Sequence, residues 1–113
     1  MEPNFRELIE TLAKKGGLEI LMTLKDSPKR WSWLEHQLKD KKSTSYRIKE
    51  LIHLGLIEIT IRHDTPTGTK AYQLSPLGRK IVKMLEQMEE EFTKYHLEEP
   101  REPEKFLKFK EEG

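Results

Sequence analysis

The stretch from Asp40 to Ser75 constrains the fold most, because its hydrophobic period changes once, at Gly55. Thr44, Ile48, Leu51 and Gly55 recur at helical spacing, which predicts a helix with one inward face. Lys42, Ser45, Tyr46, Lys49 and His53 point the other way, so the outer face is basic and rich in hydroxyls. Ile57, Ile59 and Ile61 then alternate with Glu58, Thr60 and Arg62, the period of a half-buried strand. The run Asp64-Thr65-Pro66-Thr67-Gly68-Thr69 is a turn by mechanism, since proline fixes φ and glycine permits positive φ. Tyr72 and Leu74 return a second strand to the core face.

The flanking segments supply the rest of the architecture. Asn4 and Glu7 have the spacing of a capping box, and Phe5, Leu8, Ile9 and Leu12 form one apolar stripe behind it. Gly16-Gly17 is expected to end this helix. A second helix follows with Leu18, Leu21 and Met22 on one side, and Asp26-Ser27-Pro28 breaks it. Ser32 with Glu35 repeats the capping-box spacing, opening a short helix whose Leu34 and Leu38 face inward, with Trp31 as a core residue at its start. Asp40 then caps the basic helix after a very short turn. Helix, tight turn and basic helix make a helix-turn-helix, and the hairpin behind it is a wing.

Ser75-Pro76 is an N-cap followed by proline at the first helical position, the start of a last helix that runs to about Leu97. Leu77, Ile81, Met84 and Met88 step along it at coiled-coil-like spacing, and Leu85, Phe92 and Tyr95 extend the stripe. The fold expected is mainly α with a small β-hairpin wing: a winged helix-turn-helix flanked by N- and C-terminal dimerisation helices. Residues 1–97 form that domain, and residues 98–113 form a charged tail whose apolar residues are Phe106, Leu107 and Phe109.

With 113 residues, 35% hydrophobic and 36% charged, the chain has little apolar surface for its size. Helices that bury a face against a partner fit that composition. There is no cysteine, which excludes disulfides, thiolate metal sites and Cys nucleophiles. No apolar run approaches the roughly 20 residues of a membrane span, and the Met-Glu-Pro start is not a signal peptide, so a cytoplasmic protein is expected. The net charge is only +1, but it is unevenly spread. Residues 25–50 carry eight Lys/Arg against four Asp/Glu, and residues 62–83 carry five against Asp64 alone. Residues 86–113 carry five basic against ten acidic residues. Basic charge therefore falls on the candidate recognition helix and wing, where phosphate contact would need it.

With these residues placed, the chain resembles winged helix-turn-helix transcriptional regulators of the group that includes the MarR, ArsR, PadR and HxlR families. The likeness rests on Leu-x-x-Leu-Gly-Leu-Ile at 51–57 and Ala-Tyr-Gln-Leu-Ser-Pro-Leu-Gly-Arg at 71–79, and it covers residues 17–85. It implies a homodimer held by helices outside the winged domain, binding a roughly palindromic stretch of double-stranded DNA.

On the residues themselves, Lys42, Ser45, Tyr46 and Lys49 are the candidates for the major groove, with the recognition helix at about 41–54. Lysine reaches guanine acceptors or phosphates, serine reaches either, and a tyrosine opposite Ile48 and Leu51 is free to stack or donate. Ser43 and Arg47 flank them and are expected at the DNA backbone. Arg62, His63 and Lys70 bracket the tip of a wing at about 57–74, expected on the backbone or in the minor groove. The dimer interface is expected to take Phe5, Leu8, Ile9 and Leu12 from the first helix. The last helix is expected to add Ile81, Met84, Leu85, Met88 and Phe92. Trp33 is a candidate for an effector pocket or a dimer contact, although no effector is identified. The four histidines, His36, His53, His63 and His96, lack paired metal-ligand spacing, so no metal or other cofactor is expected. No catalytic constellation and no Gly-rich phosphate loop is present, which points away from an enzyme. The alternative function is a winged helix used as a protein–protein interaction module in a larger assembly.

Overall fold

A computed structural model describes residues 2–98 of the protein. Their elements run α1 (Phe5–Ala13), α2 (Gly17–Thr23), α3 (Trp31–Leu38), α4 (Lys41–His53), β1 (Ile57–Arg62), β2 (Thr69–Leu74) and α5 (Pro76–Glu98). Apart from Glu98, the tail expected at 98–113 lies outside the described residues. The chain divides into two units, residues 1–82 and 83–113.

In the first unit, local chemistry sets most element ends. Asn4 Oδ1 accepts the Glu7 backbone N–H at 2.9 Å, which starts α1. The helix stops at Ala13, before the glycine pair. Gly16 instead opens α2, and its left-handed φ of 84° reverses the chain between the two helices. Leu18, placed by its spacing on one side with Leu21 and Met22, is exposed, while Ile20, Leu21 and Leu24 enter the core.

The start of α3 also departs from the sequence pattern. Lys29 and Tyr72 exchange backbone hydrogen bonds of 2.9 and 2.8 Å, adding a bridge to the outer edge of β2. That pairing fixes the chain just before the helix, so Arg30 becomes the N-cap and Ser32 falls inside the first turn. No side-chain cap forms there. Trp31, expected in the core, is half-buried. At the other end Lys39 takes a left-handed φ of 56°, leaving Lys39 and Asp40 as the whole turn between α3 and α4.

Thr44, Ile48 and Leu51 turn inward from α4 and join Leu12, Ile20, Leu21, Leu24, Leu34, Leu56 and Leu74. Gly55 lies past the helix end and is exposed. Strands β1 and β2 pair antiparallel, Ile57 with Leu74, Ile59 with Tyr72 and Ile61 with Lys70. The two strands are covered unequally: Ala71, Tyr72 and Leu74 of β2 are buried. On β1 Ile57 is buried, whereas Ile59 and Ile61, expected on the buried face of the strand, keep 51% and 50% of their surface. Ser75 Oγ accepts the Gly78 N–H at 2.9 Å and donates to the Gly55 carbonyl at 2.5 Å, locking the start of α5 to the end of α4. A side chain at Gly78 would place its Cβ 2.0 Å from the Leu56 carbonyl oxygen, so glycine is required for this approach.

The second unit contributes the rest of α5, where none of residues 83–98 is buried. Met84, Met88, Phe92 and Leu97 are all exposed. Near the helix end the His96 ring lies 4.5 Å from Phe92 and 5.3 Å from Tyr95, centroid to centroid.

Candidate nucleic-acid interface

The basic helix is held first at its N-terminus. Asp40 accepts the Ser43 backbone N–H at 3.0 Å, the Ser43 hydroxyl at 3.0 Å and the Lys15 ammonium at 3.1 Å. These contacts, the Ser43 N–H foremost and then Lys15, hold the Asp40 carboxyl down to about 2. The Thr44 hydroxyl donates to the Asp40 carbonyl at 2.8 Å, so both the cap and its neighbour are satisfied. Ser43 is therefore occupied by the cap, although it lies beside the outer face.

With Thr44, Ile48 and Leu51 buried, Lys42, Tyr46 and Lys49 project from the opposite side and are exposed, Tyr46 to 52%. Ser45 is half-buried at the margin of the same face. Among the described residues, neither Lys42 nor Lys49 has an ion-pair partner. Two ammonium groups, a hydroxyl and a phenol are thus free on one rigid helix face.

Arg47 does not join them. Its side chain is only 14% exposed and pairs with Glu50. Glu50 also accepts the Lys14 ammonium at 3.0 Å and the Thr11 hydroxyl at 3.3 Å. Burial alone would raise the Glu50 carboxyl, but these donors outweigh it and hold it below its ordinary value. The cluster fastens α4 to α1. Sequence reasoning missed it because its members lie up to 39 positions apart and Lys14, Arg47 and Glu50 each read locally as a surface charge.

On the wing, Arg62, His63 and Lys70 are exposed. The Lys70 ammonium stands 5.6 Å from the Tyr72 ring. Asp64 pairs with Arg30, and Arg62 Nε lies 3.9 Å from the same carboxylate. Burial would raise the Asp64 carboxyl, but Arg30 holds it below the ordinary carboxylate range. Trp33 is exposed beside this pair, with the Lys29 ammonium 4.6 Å from its ring centre. Arg30 and Asp64 had no signal in the sequence, since their pairing depends on the wing folding back beside α3.

The residues expected at a dimer interface fall into two groups. On α1, Phe5 and Ile9 are exposed and Leu8 is half-buried. Leu12 is the exception, because it is buried in the core of its own chain. On α5, Met84, Met88 and Phe92 are exposed and Ile81 and Leu85 are half-buried. Among the described residues no group of three or more His, Asp or Glu is placed to hold a metal ion. None of their helices is long and apolar enough to cross a membrane.

Residues 11–100 match the family model described as HxlR-like helix-turn-helix. Among solved structures the chain is similar to the reduced form of the transcriptional regulator YodB from B. subtilis. That likeness has 23% identity over 90% of this chain and 99% of that one, with a TM-score of 0.68. A regulator from Enterococcus faecalis V583 assigned to the MarR family shares 18% identity over 90% of this chain and 97% of that one, with a TM-score of 0.71. HlyU from Vibrio cholerae N16961 shares 22% identity over 78% of this chain and 97% of that one, with a TM-score of 0.57. These likenesses show a winged-helix fold. No curated protein matches the sequence.

Proposed function

The chain belongs to the HxlR-like helix-turn-helix family of winged-helix transcriptional regulators, and from that premise we propose that it binds double-stranded DNA sequence-specifically as a homodimer. The observation that carries this reading is the division of α4 between a wholly buried inner face and an outer face of unpaired Lys42 and Lys49 with exposed Tyr46. A helix so anchored presents a fixed row of donors to a major groove. Lys42, Ser45, Tyr46 and Lys49 meet base edges and nearby phosphates. Ser43 and Arg47, held by Asp40 and Glu50, set the position of the helix.

The wing lies along the backbone or minor groove, with Arg62, His63 and Lys70 as its contacts. The second copy covers the apolar residues left open on each flanking helix: Phe5, Leu8 and Ile9 on α1, and Ile81, Met84, Leu85, Met88 and Phe92 on α5. An exposed apolar stripe along a helix is uncommon on a lone soluble chain.

A gel shift against genomic fragments at two salt concentrations tests the proposal. Retention of a subset of fragments at the higher salt is the expected result, because phosphate contacts alone weaken steeply with salt. No retardation at either salt would remove DNA binding and leave the protein–protein interaction module in its place.

A further inference from the structure

Between the start of α3 and the wing lies a groove of about 440 Å³, lined in part by Lys29, Arg30, Trp33, His36, Arg62 and Asp64. Lys29, Arg30 and Arg62 bring three basic side chains to it, and Asp64 is the one carboxylate among these lining residues. It sits where it engages two of the three, paired with Arg30 and 3.9 Å from Arg62 Nε. Arg30 and Asp64 are 34 positions apart, so the pair joins the helix-turn-helix to the wing tip. Arg30 Nε is buried with no hydrogen-bond partner among the described residues, which leaves this guanidinium incompletely satisfied by the carboxylate it holds.

A phosphodiester carries the same single negative charge as this carboxylate and presents it on a comparable pair of oxygens. Guanidinium groups bind both in the same forked geometry. We propose that Asp64 is an internal competitor for DNA phosphate: it occupies Arg30 and Arg62 in the free protein and must be displaced before the wing seats a phosphate. The inference rests on the DNA-binding reading above and adds a residue that sets how strongly the wing engages the backbone. Phosphates carry no direct sequence information, so the competition lowers affinity for every duplex by a similar factor. Its effect is to hold down occupancy of unrelated DNA, while the outer face of α4 decides among sequences.

The test uses full-length protein and a labelled duplex of arbitrary sequence, with anisotropy titrations over a series of salt concentrations. Asp64→Asn keeps the shape and removes the charge, and Asp64→Ser serves the same comparison should the asparagine chain fail to fold. The neutral variant is expected to bind roughly tenfold more tightly or better. The slope of log affinity against log salt should steepen by about 0.9 for each additional phosphate that the freed arginines neutralise. In an Arg30→Ala/Arg62→Ala background the same substitution should change neither affinity nor slope appreciably. Wild-type protein that binds no duplex even at low salt would overturn the DNA-binding reading itself. Wild-type binding with an unchanged or weaker neutral variant would overturn the competition alone. So would an equal rise in affinity in the arginine-free background, because that rise would then come from net charge.

Discussion

Thr44, Ile48 and Leu51 on α4 keep at most 4% of their surface, whereas Met84, Met88 and Phe92 on α5 keep 55%, 62% and 67%. Both helices carry an apolar stripe at helical spacing, but the first is completed inside one chain and the second is left open. The polar sides differ as well. The outer face of α4 bears Lys42, Tyr46 and Lys49, while α5 carries the acidic run Glu89-Glu90-Glu91. An apolar stripe therefore says only that a helix needs a neighbour. Its burial in one chain says whether that neighbour has been found, and the opposite face indicates what the helix is free to meet.

The largest effect should come from breaking the completed side. Leu51→Ala empties a fully buried position and should destabilise the first unit by about 2–5 kcal/mol, read from urea denaturation. Loss below about 1 kcal/mol would mean that the inner face of α4 is less tightly packed than its burial implies. The open side should respond differently. Met84→Glu/Met88→Glu should leave the stability of the first unit almost unchanged. It should raise the dissociation constant of the proposed homodimer by about a hundredfold, equivalent to about 2.7 kcal/mol, in sedimentation at micromolar concentration. Wild-type protein that sediments only as a monomer would remove the proposed homodimer, and a double variant that still forms the dimer would move its contact off these residues. Ser75→Ala sits where the covered end of α5 begins. It should cost about 1–2 kcal/mol in thermal denaturation, from the lost cap and the unpaired Gly55 carbonyl.

What could be read from the sequence was mainly what neighbours along the chain decide. Asn4, Asp40 and Ser75 cap their helices as their spacing indicates, because each bond closes within three positions. The inward phase of α4 was equally legible, since Ile48 and Leu51 follow the helical period. What failed was set by distant partners. The cap at Ser32 gave way to the bridge between Lys29 and Tyr72. Ile59 and Ile61 keep the strand period but stay exposed on β1, while Ala71 and Tyr72 of the paired strand are buried. Arg47 has the sequence context of a surface cation, and only the fold brings Glu50 and α1 to its side. Of the candidate site, the exposure of Lys42, Tyr46 and Lys49 followed from periodicity, whereas the pairing of Asp64 with Arg30 did not.

The smallest effect expected is a pH dependence at the start of α4. The Asp40 carboxyl is lowered from an ordinary 3.8 to about 2, so its ionised form favours the folded state. That contribution is fully present above about pH 4 and is lost as the pH falls toward about 2. Melting temperature should therefore fall more steeply across that window in the wild type than in Asp40→Asn. Parallel curves would show that the carboxylate does not stabilise the cap.

The account depends most on the outer face of α4 entering a DNA groove, and Tyr46→Ala/Lys49→Ala tests that directly. Both positions are exposed, so helicity and dimer content should match the wild type. Binding should be measured on a fragment recovered from the gel shift, beside an unrelated duplex. Each base interaction removed should cost about 1–3 kcal/mol on the recovered fragment and far less on the unrelated one. Unchanged affinity for the recovered fragment, with helicity intact, would mean that this face does not read DNA.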